Sequence, residues 1–283
     1  MKTRRAFLKN ATCLAAGSLL MSDLLKAGNL TKMNDVGIQL YSVRKEMLED
    51  AAGALVKLAK IGYKEIESAK SEKGNYYGLK PKEIKQILND HGMTLRSSHT
   101  RIDNDWQQSI DEAAEAGQQY LVCSVLPSAG QTVDNYRKNA EQFNKAGEQC
   151  KKAGITFGYH NHEEEFETEN GQVLYDVLLN NAQPDLVIME MDLGWVIASG
   201  KDPLLYFQKY PGRFPLWHLK DMDLAKKQSV EFGKGGVNIA SLFQHAKASG
   251  LKYFFIEQEE YAHTALESLT YDYDYLVKSG IKW

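Results

Sequence analysis

Short runs rich in β-branched and aromatic residues alternate along this chain with longer stretches whose apolar residues recur at helical spacing. The runs at 36–41, 63–67, 94–98, 120–125, 156–159, 186–191, 214–219 and 253–257 have strand character. Helical character belongs to 50–60, 82–91, 105–116, 133–153, 173–181, 203–210, 239–249 and 263–277. The same punctuation marks the passage from helix to strand. Lys60-Ile61-Gly62-Tyr63, His91-Gly92-Met93, Ala116-Gly117, Ala153-Gly154-Ile155 and Ser249-Gly250-Leu251 each place glycine where a left-handed residue closes a helix. Strands that alternate with helices form a parallel sheet, and eight of them are enough to close it. The expected architecture is one (β/α)8 TIM barrel. An open doubly wound sheet, with one or two strands misassigned, is the alternative.

The first residues stand outside this alternation. Thr3-Arg4-Arg5-Ala6-Phe7-Leu8-Lys9, followed by a modestly apolar run from Ala11 to Met21, resembles a twin-arginine export signal. The run is shorter than the ~20 apolar residues of a membrane span. The expected division is an export signal at 1–27 and a single barrel domain at 28–283, released to the periplasm with no membrane span after processing. The signal holds five basic residues and one acid, so the remainder carries about −7 rather than the −3 of the whole chain. An acidic chain with no Lys/Arg cluster lacks the electrostatic footprint of a nucleic-acid binder. Cys123 and Cys150 have no CxxC spacing, which points to core thiols rather than a zinc-thiolate site or a disulfide framework. The aromatic tail, Tyr271 to Tyr275 and Trp283, reads either as a face between copies of the chain in a homo-oligomer or as helix packing.

Active sites of such barrels lie at the C-terminal ends of the strands, so ionisable residues there are the candidates. The fifth strand runs into Tyr159-His160-Asn161-His162-Glu163-Glu164-Glu165-Phe166, and period two puts His160 and His162 on one face. The sixth ends Glu190-Met191-Asp192-Leu193-Gly194-Trp195; one carboxylate can be a ligand and the other a deeper hydrogen-bonding partner. The seventh ends Trp217-His218-Leu219-Lys220-Asp221 and the eighth Phe255-Ile256-Glu257-Gln258-Glu259, while Glu67 ends the second and His99 follows the third. His, Asp, His and Glu thus converge from four consecutive strands. Burying such carboxylates without a cation is costly. Mixed imidazole and carboxylate ligands suit Mn²⁺, Zn²⁺, Co²⁺ or Fe²⁺ better than Ca²⁺ or Mg²⁺.

Gly37-Ile38-Gln39-Leu40-Tyr41-Ser42-Val43-Arg44, Tyr159-His160-Asn161-His162, Met191-Asp192-Leu193-Gly194-Trp195 and His218-Leu219-Lys220-Asp221 resemble the sugar phosphate isomerase/epimerase family. These are xylose-isomerase-like barrels, related more distantly to endonuclease IV. The ketose 3-epimerase branch takes Glu, Asp, His and Glu from its last four strands as metal ligands. By resemblance Asp192, His218 and Glu257 fill the last three places. His162, with His160 as its alternative, fills the first, where the epimerases carry glutamate. That departure removes one of the two carboxylates with which those enzymes move a proton on opposite faces. A histidine–glutamate pair suits elimination or one-sided proton transfer, and Glu165 could still bring a carboxylate from the loop. Trp195 replaces the histidine with which endonuclease IV helps hold its metal cluster, and it suits a sugar-stacking wall, with barrel-rim packing as the alternative. Gly233-Lys234-Gly235-Gly236-Val237-Asn238 resembles a glycine-rich loop that borders the site, where backbone amides could take a phosphate.

The resemblance implies isomerisation or epimerisation of a small keto-sugar through proton abstraction and an enediolate. A lyase or dehydratase of oxidised glycosides or inososes is the alternative, and a non-catalytic sugar-binding barrel is the second alternative. Glu257, His160, His162, Lys220 and Glu165 are the catalytic candidates; Gln39, Tyr41, Glu67, His99, Trp195 and Lys234 are the substrate-binding ones. Sugar phosphates are intracellular, so export argues for an unphosphorylated carbohydrate substrate.

Overall fold

Eight parallel strands close on themselves in the computed structural model, which describes residues 35–281. They are β1 (Gly37–Gln39), β2 (Glu65–Ala69), β3 (Thr94–Thr100), β4 (Tyr120–Cys123), β5 (Thr156–His160), β6 (Val187–Asp192), β7 (Leu216–Leu219) and β8 (Tyr253–Ile256). Each pairs with its neighbours in sequence, and β8 returns to β1 through Gly37↔Phe255 and Ile38↔Ile256. Closure leaves no barrel edge with unpaired amides. The connections hold α1 (Arg44–Ile61), α2 (Pro81–Asp90), α3 (Trp106–Ala116), α4 (Val133–Lys152), α5 (Leu174–Asn181), α6 (Leu193–Ala198), α7 (Pro203–Lys209), α8 (Ile239–Phe243), α9 (Ala246–Ser249) and α10 (Ala265–Lys278). The export segment at 1–27, the start of the expected domain at 28–34 and Trp283 lie outside the described residues. Among the described residues no helix is long and apolar enough to cross a membrane.

All eight expected strands are present; the helices differ in three places. The first helix begins at Arg44 rather than 50 and bends at Asp50 (φ −150°, ψ 86°), whose carboxylate accepts the Gly53 amide at 2.9 Å. Asp50 therefore looks like a helix start in sequence, because it caps the second half of a bent helix. The stretch 239–249 forms two short helices, broken at Gln244 and His245. The unexpected α6 starts directly after Asp192.

Alternation in the strands sends every second side chain into the barrel. Toward the N-terminal ends of the strands this interior is apolar: Val122, Leu216 and Phe255 are fully buried, with Tyr120, Ile188 and Tyr253 packed on them. Burying a phenylalanine such as Phe255 contributes roughly 2–3 kcal/mol. Gly158 makes room in this layer, since a Cβ there would stand 2.8 Å from Ile188 Cδ1. Arg96 completes the layer, bound to both Glu65 carboxylate oxygens at 2.5 and 3.0 Å and lying 4.8 Å from the Tyr253 ring centroid. Cys123 and Cys150 are free, buried thiols in the core.

The tail helix clamps the loop that follows β7. Tyr273 packs edge-on against Tyr63, and Tyr275 packs edge-on against Phe232, so these two rings serve helix packing. Asp272 accepts the Phe232 amide at 2.8 Å, while its second carboxylate oxygen has no partner. Burial, with Glu231 and Asp221 nearby, raises the Asp272 pKa to about 8. Between an unfolded value of 3.8 and about 8, the unfolded chain is ionised while the folded chain holds the proton. Stability contributed through this group is therefore full below 3.8 and falls as pH rises toward 8. Thermal or urea unfolding of Asp272→Asn against wild type tests this. The variant should gain relative to wild type by an amount on the order of 3 kcal/mol between pH 4 and pH 8.5; a difference independent of pH contradicts it.

Candidate metal centre

Toward the C-terminal ends of the strands the barrel interior becomes polar, and the register says which side chains meet. His160 pairs across to Glu190, Asp192 to His218, and His218 to Phe255, two residues before Glu257. One donor atom each from His160, Asp192, His218 and Glu257 lies within 4.8 Å of the others, and all four residues are buried. A second group, His99, His160, Glu190 and His218, meets the same condition and shares His160 and His218 with the first.

Tautomers decide between the two groups. A neutral imidazole has one N–H and one lone pair. His160 Nδ1 stands 3.2 Å from Glu190 Oε2, and His218 Nε2 stands 2.6 Å from Glu67 Oε2. If those nitrogens carry the protons, the lone pairs of His160 Nε2 and His218 Nδ1 face Asp192 and Glu257, at 3.9 and 2.9 Å. Glu190 and Glu67 then orient the ligand imidazoles from behind, as outer carboxylates do around metal-bound histidines. Gln39 donates to Glu67 at 2.8 Å, and His99 lies between the two carboxylates, 2.6 Å from Glu190 and 3.2 Å from Glu67. The second group would instead take the nitrogens that already face Glu190 and Glu67.

Charge and unsatisfied donors fit a divalent cation here. Glu67, Glu190, Asp192 and Glu257 are all buried, with the Lys220 ammonium among them. Lys220 Nζ reaches Asp192 at 3.1 Å, Glu257 at 3.0 Å and Glu259 at 2.7 Å. Asp192 Oδ1 caps α6 by accepting the Trp195 amide at 2.9 Å, which aims Oδ2 into the group; Oδ2 has no aligned hydrogen bond. One oxygen each of Glu67 and Glu190 is likewise unpartnered. Without a cation, protons fill the gap. Burial pulls His99 down, but Glu67 and Glu190 more than offset it and hold the ring up at about 9. His218 is raised in the same way by Glu190 and Glu257, whereas burial and the neighbouring His218 and His99 push His160 well below its usual value.

Several sequence-based assignments move to other layers. His162 lies outside the four-residue group, because β5 ends at His160 and period two no longer holds beyond it. Glu165 is not a cavity carboxylate: it accepts the Tyr159 hydroxyl at 2.5 Å and the His162 amide at 2.7 Å, and so pins the loop that carries His162. Gln39, Glu67 and Lys220 are buried rather than cavity-lining, and act by holding ligand side chains. Trp195 packs over Lys220, 5.2 Å from ring centroid to ammonium, which favours rim packing over a sugar wall. The glycine-rich loop wraps Asp221, which accepts the amides of Gly233, Gly235 and Val237 at 2.8–3.0 Å. Those amides are already occupied, and Lys234 points to Glu231 and the Tyr271 ring instead of the cavity.

A cavity of about 200 Å³ opens over the metal group. His99, His160, His162, Glu257 and Tyr41 line it. So do Lys70, Thr100, Arg101, Ser124 and Val125, which the sequence reasoning missed, although their places at or just after the ends of β2, β3 and β4 are a usable signal. Glu259 completes the wall beside Lys220.

The model of the xylose isomerase-like TIM barrel family matches residues 55–278. The chain belongs to that family. Among solved structures, a sugar phosphate isomerase/epimerase from Parabacteroides distasonis is 28% identical, with 90% of this chain and 98% of that one covered and a TM-score of 0.78. The IolI protein, solved with a bound zinc atom, covers 86% of this chain and 97% of its own at 14% identity and a TM-score of 0.67, a likeness of fold alone. An inosose dehydratase from Lacticaseibacillus casei is 29% identical over 91 residues, or 32% of this family member and 30% of the relative. The family member thus spans about a third of the length of that curated relative.

Metal analysis of variants tests the ligand assignment. His160→Ala and Asp192→Ala should lose the ion, His162→Ala should keep it, and Glu67→Gln should weaken binding by roughly 10–100-fold. Retention of full affinity in His160→Ala would reject the set.

Proposed function

We propose that this chain is a divalent-metal-dependent lyase that removes water or another β-oxygen group from a small, unphosphorylated cyclic keto-polyol. The observation that carries this reading is that β5 offers the metal group an imidazole, His160, where a paired-carboxylate epimerase would offer glutamate. Proton handling is then one-sided. A cation bound by His160, Asp192, His218 and Glu257 would polarise the substrate carbonyl. His162, on the cavity wall but outside that group, would take the proton from the carbon beside the carbonyl. The electron pair left behind forms a C=C bond as the C–O bond at the next carbon breaks, and the departing oxygen leaves as water or an alcohol by taking up the proton that His162 removed. Lys220 keeps Asp192, Glu257 and Glu259 in place. The inosose dehydratase relatives support this reading.

Isomerisation or epimerisation is the second reading, favoured by the 28% identity to the Parabacteroides sugar phosphate isomerase/epimerase. It shares the first proton removal and differs in returning a proton to carbon. The export segment at 1–27 belongs to the same proposal and would put the enzyme in the periplasm, away from sugar phosphates.

An inosose incubated with Mn²⁺-loaded protein in D₂O separates these outcomes. Dehydration gives a conjugated enone and its ultraviolet absorbance; isomerisation gives deuterated ketone without loss of water. Neither product from an inosose or a keto-glycoside contradicts both readings. His162→Gln should lower turnover by about 100-fold or more at unchanged metal content.

A further inference from the structure

The cavity wall across from the metal group carries positive charge. In the closed ring of eight strands, β2 and β3 stand opposite β6 and β7, which hold the middle of that group. Lys70 directly follows β2, Arg101 directly follows β3, and both line the cavity. The strand ladder fixes both places. The Lys70 amide donates to the His99 carbonyl at 2.9 Å, and Thr100, next to Arg101, pairs across to Cys123. The two cations therefore stand on the rigid rim of the barrel, where binding residues are held in position by the scaffold.

Their charges are answered differently. Lys70 Nζ lies 2.8 Å from Asp103 and 3.6 Å from Asp105. Asp103 is engaged at both oxygens, since the one that does not meet Lys70 accepts the Asp105 amide at 3.0 Å. Arg101 is near enough to lower the Asp103 pKa, yet it makes no hydrogen bond or ion pair among the described residues. On a convex surface water satisfies an exposed arginine. On the wall of a concave site, a fork of donors without a protein partner is open to a ligand.

The same wall selects the kind of anion. The guanidinium is always charged, and its planar fork matches a carboxylate through two parallel hydrogen bonds. A phosphate dianion asks for more charge and more donors. Lys70 is already offset by two aspartates, and the Gly233 and Gly235 amides of the glycine-rich loop are taken by Asp221. What remains is one unanswered guanidinium, which suits one carboxylate.

We infer that Arg101 is a specificity-determining residue that binds a carboxylate on the substrate, at the end remote from the carbonyl. The substrate is then a cyclic keto-polyol that bears a carboxylate. Its carbonyl end meets the His160–Asp192–His218–Glu257 group, and its carboxylate reaches across the mouth to Arg101. The inference rests on the proposed function for the end that meets the metal, and it narrows the substrate class of that same site.

D-Glucuronate and D-glucose are cyclic polyols that differ at one carbon, a carboxylate against a hydroxymethyl group. Calorimetric titration of each into Mn²⁺-loaded wild type and Arg101→Gln tests the subsite. Wild type should bind glucuronate more tightly than glucose by roughly tenfold or more, and Arg101→Gln should abolish that preference at unchanged metal content. Equal affinities in wild type, or no binding of either sugar, overturn the inference. So does a preference that survives in Arg101→Gln, which would put the carboxylate on the metal. Glucose 6-phosphate in the same titration separates the anions: tighter binding than glucuronate, lost in Arg101→Gln, would overturn the carboxylate in favour of phosphate. Elimination is read separately. Loss of water from an inosose without a carboxylate preference rejects the role of Arg101 alone. An Arg101-dependent preference without elimination from a keto-uronate rejects the lyase reading alone.

Discussion

Four carboxylates, three imidazoles and one ammonium are packed into the upper half of a closed barrel, and much else in this structure follows from that concentration of charge. Such a set is stable only when opposite charges interleave closely. Glu67, Glu190, Asp192 and Glu257 come from three different strands, and the histidines and Lys220 stand between them at hydrogen-bonding distance. Protons alone fill this arrangement incompletely, since one oxygen each of Glu67, Glu190 and Asp192 stays without an aligned partner. A divalent cation at the His160–Asp192–His218–Glu257 position gives the last of these a partner and fixes both imidazole tautomers.

The fold prepares this concentration in layers. Aromatic and aliphatic residues, with the Arg96–Glu65 pair, fill the barrel below, so the polar layer has a firm floor. Gln39, Glu67, His99 and Glu190 form the next level and orient the ligands rather than meeting substrate, apart from His99, which also reaches the cavity wall. Above them lie the ligand group and the cavity, whose walls come from the loops after β1 to β5 and after β8. Asp221, wrapped by backbone amides, and the α10 clamp on Phe232 hold the β7 loop in place at one side of this mouth.

The barrel was legible in sequence because each β/α unit carries its own marks: a β-branched run, a helical period and a closing glycine. Strand-end positions were legible for the same reason, and they picked out Asp192, His218 and Glu257, with His162 or His160 for the fifth strand. Depth was not. Period two tells which face a side chain takes, and it cannot tell whether Gln39, Glu67 or Lys220 reaches the cavity or stops beneath it. The choice between His160 and His162 depended on where β5 ends, which is set by the bond of Glu165 to the His162 amide; in sequence Glu165 looked like chemistry. Helix α6 was hidden because Asp192 is both a strand end and a cap.

The position of the ion is the most direct test. Crystals of the protein loaded with Zn²⁺ or Mn²⁺, measured at the metal absorption edge, should show one anomalous peak. It should lie at about 2.0–2.3 Å from His160 Nε2, His218 Nδ1 and carboxylate oxygens of Asp192 and Glu257. A peak among His99, Glu190 and the opposite nitrogens of His160 and His218, or no peak in the barrel, would contradict the account.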